Sequence, residues 1–124
     1  MTNAATLVQF DAGATVQRTI HGVPGRAVHV LMESTDLVVF YSELHAGEAL
    51  PPERHDVIEA IIRLAGTTRH TVGDDSFVVD QGSFVPIPAF VQHGCEVLGD
   101  DPVCQITILA RNQYAGPFFA DDGQ

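Results

Sequence analysis

Residues 51–66, PPERHDVIEAIIRLAG, place Glu53, His55 and Glu59 at separations of two and four residues. If this segment is extended, the three side chains point to one face, because side chains in a strand alternate with a period of two. The later run GSFVPIPAFVQH ends on His93 and brings a second imidazole from another part of the chain. Imidazoles and carboxylates that converge in this way indicate a site for a metal ion.

A helix over residues 52–64 is the alternative conformation for this stretch. The two prolines at its start could begin a helix, on which His55 and Glu59 would share one side. Side chains branched at Cβ favour strands over helices, and the stretch contains Val57, Ile58, Ile61 and Ile62. We therefore predict a strand here, closed by Gly66.

Short apolar or β-branched runs recur along the whole chain, and their lengths are typical of strands. The turn signals at Gly73 and at residues 99–102, GDDP, predict hairpins. With seven prolines and eleven glycines between the runs, the pattern predicts an all-β sandwich or barrel. The predicted strands cover residues 7–10, 26–32, 37–44, 57–64, 69–72, 77–79, 83–87, 96–98 and 103–111.

Composition indicates one compact domain and argues against several classes of partner. A chain of 124 residues with 45% hydrophobic content can build a core without disulfides. Its formal charge, 6 − 16 = −10, would repel a phosphate backbone, so we expect no nucleic-acid partner. The N-terminal sequence lacks the features of a signal peptide, and no apolar run is long enough to span a bilayer. We expect a cytoplasmic protein with no membrane partner.

The two cysteines, Cys95 and Cys104, flank the turn at residues 99–102 and could face each other across a hairpin. In a reducing compartment we expect two buried free thiols instead of a disulfide. The chain has no CxxC pair, so a zinc finger has no support.

The two segments around the candidate ligands resemble the paired motifs of the cupin superfamily, whose members are jelly-roll barrels, also described as double-stranded β-helices. The first family motif is HxH, three or four residues, Glu, six residues and Gly. The second is Gly, five residues, Pro, one residue, Gly, two residues and His. The chain keeps these spacings at Glu53, His55, Glu59 and Gly66, and at Gly82, Pro88, Phe90 and His93. The resemblance implies one domain over residues 1–124, with a barrel core at about residues 26–111.

The resemblance also implies a metal site. His55, Glu59 and His93 match family ligands directly, whereas Glu53 matches only by position, because it replaces the first histidine of the family motif. Two imidazoles and one carboxylate suit Fe(II), and a second carboxylate keeps the set favourable for Fe(II), Mn(II) or Ni(II). We expect one divalent transition metal ion per chain, with Fe(II) favoured and Mn, Ni or Zn as alternatives.

Two departures from the family pattern affect the site. Glu53 could be a ligand, a hydrogen-bond acceptor beside the ligands or an acid/base group, and Glu59 is a second catalytic candidate. A carboxylate that shares a low-dielectric cavity with others has a raised pKa, which would suit proton transfer. Phe90 stands where the family has glycine. We therefore expect a different turn before His93 and a bulky apolar group near the site.

Further side chains are candidates for substrate binding. Strand parity puts Arg63 on the ligand face, where it could anchor a substrate carboxylate or, as arginine more often does, pair with a nearby acid. By analogy with small cupins, one alternating set of the last strand faces inward. The candidates are Arg63, Phe90, Gln105, Thr107 and Leu109. His70 and the remaining histidines are expected at the surface or in an interface.

The function that the resemblance implies is a metal-dependent enzyme for a small organic substrate. A dioxygenase and an isomerase, lyase or cyclase acting by Lewis-acid chemistry both fit. A cupin that binds a small molecule or a metal without turnover is the alternative, because a fold does not determine a function. Small cupins commonly pair through N-terminal strands, and residues 6–10 are apolar, so we expect a homodimer.

Overall fold

The computed structural model describes residues 16–19 and 27–111 of the chain. Within these two ranges the backbone forms β-strands and turns, and contains no helix that could cross a membrane. The strands are β1 (Val16–Thr19), β2 (Ala27–Glu33), β3 (Leu37–Leu44), β4 (Ala49–Glu53), β5 (Glu59–Ala65), β6 (Thr67–Val72), β7 (Asp75–Val79), β8 (Phe84–Ile87), β9 (His93–Leu98) and β10 (Val103–Ala110). The all-β prediction is confirmed.

Two antiparallel sheets pack against each other. Six strands form one sheet in the order β1-β2-β3-β10-β5-β8, and four form the other in the order β4-β9-β6-β7. The core lies between them, because two of its three clusters contain side chains from both sheets. One cluster joins Ile61, Val85 and Ile87 of the larger sheet to Val79 of the smaller sheet. This burial of apolar surface between two layers is the main stabilising contribution of such a fold.

The last strand, β10, lies at the centre of the larger sheet, between β3 and β5. Its burial alternates strictly, as expected for a strand with one face on the core. The buried set is Val103, Gln105, Thr107 and Leu109. The three substrate-binding candidates on this strand therefore lie in the interior.

Eight of the nine predicted strands correspond to strands of the structure, and the ninth, at residues 7–10, lies outside the described residues. The homodimer contact expected at residues 6–10 lies outside them as well and stays a prediction. The sequence patterns missed β1 and β4. Strand β4 contains Pro51 and Pro52, and it tolerates them because it is an edge strand with a register shift between Leu50 and Glu53.

The prediction of one extended strand through the first motif is wrong. The chain leaves β4 at Glu53, bends at residues 56–57 and enters β5 at Glu59. These two strands belong to different sheets, so the candidate ligands do not share the face of one strand.

Of the two predicted hairpins, one is confirmed. Val72 pairs with Asp75 around Gly73, which has a φ of 60°. The turn at residues 99–102 is instead a connection between sheets, because β9 pairs with β4 and β6 whereas β10 pairs with β3 and β5. Cys95 is therefore buried in the core beside Leu44, while Cys104 lies on the alternate, half-buried face of β10. The two cysteines form no disulfide with each other, as expected, but Cys104 is half-buried instead of buried.

Candidate metal centre

The four candidate ligands come from three strands and one connecting loop. Glu53 ends β4 and lies opposite His93, the first residue of β9. Glu59 begins β5 in the other sheet, where it is paired with Leu109 of β10. His55 lies in the short connection from β4 to β5 and so bridges the two sheets. The antiparallel pairing therefore brings all four residues to one end of the sandwich.

The donor atoms of these side chains converge. Nε2 of His55 lies 3.4 Å from Oε1 of Glu53 and 3.2 Å from Oε1 of Glu59. The same Glu59 oxygen lies 3.3 Å from Nε2 of His93. Glu53, His55 and His93 each offer one ligand atom within 4.8 Å of the other two. The structure thus brings together the four residues that the sequence predicted as ligands.

This geometry fits a metal ion. Atoms about 2.1 Å from a common ion lie about 3.0 Å apart at right angles and about 3.4 Å apart at tetrahedral angles. The contacts of His55 and His93 with Glu59 fall between these values. Nε2 of His93 is buried and makes no hydrogen bond of acceptable geometry with the described residues, whereas its Nδ1 lies 3.1 Å from the Val91 carbonyl oxygen. In the neutral imidazole with its proton on Nδ1, the Nε2 lone pair is available to a metal ion.

Without an ion, the site is held by contacts between imidazolium and carboxylate groups. Hydrogen bonds to Glu53 and then Glu59 raise the pKa of His55 to about 10. Burial by itself would raise the pKa of Glu59, but hydrogen bonds from His55 and His93 outweigh burial and lower it to about 2. Burial would lower the pKa of His93, and the Glu59 carboxylate outweighs it, so the net direction is upward.

The Glu59 carboxylate is therefore held ionised, with a lowered pKa. The site encloses two imidazoles with the carboxylates, and their positive charge favours the ionised acid. Glu53 is not enclosed, because half of its side chain is exposed. The two carboxylates thus differ in environment, and only Glu59 is shielded from water.

Phe90 has a backbone conformation that glycine adopts readily. Its φ is 69°, in the left-handed region, and its N–H donates to the His55 carbonyl oxygen at 2.7 Å. A side chain is strained in this conformation, and the expectation of a turn different from that of the family stays a prediction. We also expected a bulky apolar group near the site. The backbone hydrogen bond to His55 places Phe90 next to this candidate ligand.

Arg63 is buried at the far end of the interior from this loop, with 1% of its surface exposed. Its hydrogen-bond partners are neutral oxygens instead of the acid that the sequence suggested. They are the carbonyls of Gly66 and Val79, Oγ1 of Thr68 and Oε1 of Gln105. Four of the five guanidinium N–H groups are thereby used, and only Nε–H has no partner in the described chain. That Arg63 anchors a substrate carboxylate stays a prediction, and its Nε–H group is available for this contact.

His70 is an interior residue that the sequence patterns missed. Only 2% of it is exposed, so its predicted surface position is wrong. Its Nδ1 lies 3.0 Å from Oγ1 of Thr68, which also accepts from Arg63. Burial, followed by the charges of Arg63 and His93, lowers the pKa of His70 to about 4 and keeps it neutral. The sequence feature that could have located His70 is strand alternation, because this buried residue lies between exposed Arg69 and Thr71 in β6.

Comparison with known proteins identifies the fold family. The family model for the cupin domain matches residues 40–109, more than half of the chain, and includes both motifs. No curated protein matches significantly in sequence.

Solved structures share the fold at low sequence identity. An RmlC-like cupin from Shewanella frigidimarina is 17% identical, with a TM-score of 0.71 over 89% of this chain and 95% of that chain. KdgF from a Halomonas species is 15% identical, with a TM-score of 0.69 over 83% of this chain and 94% of that chain. The cupin domain of Schizosaccharomyces pombe Cnp3 is 17% identical, with a TM-score of 0.66. The match covers 69% of this chain and 61% of that chain. With its double-stranded β-helix fold and both sequence motifs, the chain belongs to the cupin superfamily.

Proposed function

We propose that this protein is a metal-dependent enzyme that activates a small, oxygen-bearing organic substrate. The observation that carries the proposal is the convergence of His55, His93 and Glu59 at donor separations of 3.2 and 3.3 Å. Two imidazole nitrogens and the Glu59 carboxylate, with a second carboxylate beside them, favour Fe(II), Mn(II) or Ni(II) over copper or a thiolate-bound metal. A bound ion of this type supplies Lewis acidity toward substrate oxygens and, in the case of Fe(II), redox chemistry with dioxygen.

The two carboxylates have different roles in this proposal. Glu59 is enclosed and held ionised by two histidines, which suits a ligand. Glu53 is half exposed and lies 3.4 Å from His55, so it contacts water while remaining beside the cluster. We therefore assign proton transfer to Glu53 and ligation to Glu59.

The interior side chains would form the substrate-facing wall. Leu109 is paired with Glu59, and Thr107 is the next buried residue of the same strand. Both are at most 5% exposed. Leu109 would exclude water beside the ligands, while the Thr107 hydroxyl offers a donor and an acceptor to the substrate.

Elemental analysis of protein purified without chelators or a histidine tag tests the metal assignment. We expect about one equivalent of transition metal per chain, lost in His55→Ala and His93→Ala and retained in the matched control His45→Ala, whose residue is exposed. Unchanged metal content in His55→Ala would contradict the site.

Turnover is tested separately on the loaded protein. Oxygen uptake with a panel of hydroxy acids, diketones and phenols would support the dioxygenase, and product formation without uptake would support Lewis-acid chemistry. A loaded protein that binds these compounds but converts none would be a binding module, and the catalytic proposal would be wrong.

A further inference from the structure

His70 is a buried imidazole that the proposed mechanism does not yet use. It is 2% exposed and alternates with exposed neighbours on β6, so its side chain points into the space between the sheets. Strand pairing gives its depth there. His70 lies opposite Cys95, whereas Val72, which packs against the core, lies opposite the candidate ligand His93. His70 therefore lies one step deeper in the interior than the ligands.

The hydrogen bonds of the interior determine which nitrogen of His70 carries the proton. Oγ1 of Thr68, a fully buried residue, accepts from the Arg63 guanidinium at 2.9 Å and lies 3.0 Å from Nδ1 of His70. A threonine hydroxyl has one hydrogen to donate, and guanidinium nitrogens do not accept. Among the described contacts of Thr68, only Nδ1 of His70 takes this hydrogen. In the neutral imidazole the proton therefore lies on Nε2.

This Nε2–H group is a hydrogen-bond donor that points toward the ligands. The two nitrogens of an imidazole point in nearly opposite directions, and Nδ1 of His70 points along β6 toward the deeper residue Thr68. No hydrogen bond with the described residues uses Nε2. Burial and then the charge of Arg63 lower the pKa of His70 to about 4, so the ring is neutral at pH 7.

The larger sheet places a second polar side chain at the same depth. Thr107 is 4% exposed and pairs with Ile61, which is one inward step from Glu59 on β5. The first layer beneath the ligands therefore carries an imidazole from one sheet and a hydroxyl from the other. Buried polar groups are costly without partners, and a substrate oxygen in this layer would be such a partner.

We propose that His70 contacts the substrate and donates its Nε2–H to a substrate oxygen that gains negative charge during the reaction. Thr68 and Arg63 are positioning residues that hold the imidazole in the donating tautomer. No proton is transferred by His70 in this step. A donor fixed in advance in a buried site stabilises developing charge more than water does, and a neutral imidazole serves in this role.

The inference rests on the proposed metal-dependent function and narrows its substrate class. The substrate carries at least two oxygen atoms, of which one lies at the ligand cluster and another reaches His70.

The tautomer is tested first, by nuclear magnetic resonance of metal-free protein with isotope-labelled histidine. The His70 ring should carry its proton on Nε2 in the wild type and in Thr68→Ser, which keeps the hydroxyl. Thr68→Val lacks the hydroxyl, so the ring should lose this preference. A wild-type ring protonated on Nδ1 would overturn the inference, and an unchanged tautomer in Thr68→Val would overturn the role of Thr68.

The substrate contact is tested by calorimetry with oxalate as the probe, added to protein loaded with Mn(II). Oxalate has oxygens both for a metal ion and for His70. His70→Phe should weaken oxalate binding by about 10- to 100-fold, because a hydrogen bond to a charged acceptor is lost. The affinity for Mn(II) should not change. His70→Gln should restore part of the oxalate affinity, since its amide offers an N–H group.

The matched control is His29→Phe, which removes another buried imidazole. His29 is 8% exposed and lies on the face of β2 opposite to Val28 and Val30, which pack in the core. It should keep the wild-type affinity for oxalate. An unchanged affinity in His70→Phe, or an equal loss in His29→Phe, would overturn the inference. If His70→Phe does not fold, Thr68→Val replaces it and should also weaken oxalate binding.

Metal binding separates the failure of this inference from the failure of the proposed function. A wild type that binds no transition metal would contradict the proposed function and, with it, the contact of His70 with the substrate. Normal Mn(II) binding without affinity for oxalate would overturn the contact alone. A loss of Mn(II) affinity in His70→Phe would assign His70 to support of the ligands and overturn its contact with the substrate.

Discussion

At the scale of single residues, His93 illustrates how a fold prepares a side chain for a metal ion. The Val91 carbonyl holds the Nδ1 proton, and burial leaves Nε2 without a hydrogen bond among the described residues. Oε1 of Glu59 lies 3.3 Å from this atom but cannot donate, so a neutral Nε2 there requires a positively charged partner. An ion at the cluster would supply it and would also replace the proton on His55.

We therefore predict that metal binding releases protons. The pKa of His55 is about 10 without an ion, so at pH 7 this imidazole must lose a proton before it can ligate. Calorimetry of Mn(II) binding in buffers of different ionisation enthalpy should show release of at least about one proton, with affinity rising about tenfold per pH unit between pH 6 and 9. Binding without proton release would show that His55 is not a ligand.

A second residue-scale prediction concerns the strain at Phe90. Phe90→Gly and Phe90→Ala both remove the ring, and they differ in the cost of the positive φ. The glycine variant should be more stable than the alanine variant by about 1 kcal/mol, measured by urea unfolding. Equal stability would mean that the backbone is relaxed at this position.

At the scale of elements, Arg63 connects strands of both sheets. It lies in β5, and its partners include Thr68 of β6, Val79 of β7 and Gln105 of β10. A buried guanidinium is costly unless its donors are satisfied, and here neutral oxygens satisfy four of them. The network therefore holds the end of the sandwich that lies away from the ligands.

Arg63→Met should destabilise the protein by about 2–4 kcal/mol, because it leaves several buried acceptors without a donor. The matched control is Arg69→Met, whose side chain is exposed on β6 and whose loss should change stability by less than about 0.5 kcal/mol. Urea unfolding of both metal-free variants measures the difference. A small effect of Arg63→Met would assign this residue to ligand binding instead of structure.

The connection between β5 and β6 requires a glycine, because a side chain would not fit there. Gly66 has a φ of 83°, and a Cβ there would overlap the Pro102 carbonyl oxygen and lie 2.7 Å from Cα of Val103. Gly82 has nearly the same φ, 85°, but open space around it.

We predict that Gly66→Ala is destabilising by more than about 3 kcal/mol, whereas Gly82→Ala costs only the backbone strain of about 1–2 kcal/mol. Thermal unfolding of the two variants distinguishes the stability cost of the steric overlap at residue 66 from the cost of the backbone strain that both positions share. Equal losses of stability would mean that the strands can separate locally without cost.

At the scale of the whole molecule, the ligand cluster links stability to pH. The pKa of His55 rises from 6.5 to about 10, so its contribution is complete below pH 6.5 and is lost as pH rises through 10. The pKa of Glu59 falls from 4.5 to about 2, so its contribution is complete above pH 4.5 and is lost as pH falls through 2. The contact between His55 and Glu59 contributes to both shifts and is counted once, whereas Glu53 acts on His55 and His93 acts on Glu59.

The metal-free protein should therefore receive its full stabilisation from this site between pH 4.5 and 6.5. Urea unfolding in the presence of a chelator, followed from pH 3 to 10, measures this dependence. In Glu59→Gln the contribution should be smaller across the range, because His55 loses Glu59 and keeps Glu53, its stronger partner. A wild-type profile identical to that of Glu59→Gln would contradict the ion pairing. Added Mn(II) should raise stability most above pH 7, where the ligands deprotonate more readily.

Much of this molecule follows from its sequence. Strand character at residues 37–44 and the alternation of β10 are local properties, because side chains in a strand alternate with a period of two. The donor types at the site are equally local, since the chemistry of His55, Glu59 and His93 does not depend on the fold. The spacing of the two motifs was enough to predict the cupin family, which the family model confirmed.

Tertiary structure alone decided how these groups meet. Glu53 and Glu59 approach His55 because β4 and β5 join different sheets across a bend, a pairing between distant segments that no local periodicity encodes. The partners of Arg63 depend in the same way on which strands lie opposite it. The left-handed backbone at Phe90 follows from its contact with the first motif, which outweighs the preference of the residue itself. Sequence determined the donors and the strands, and long-range pairing determined their geometry.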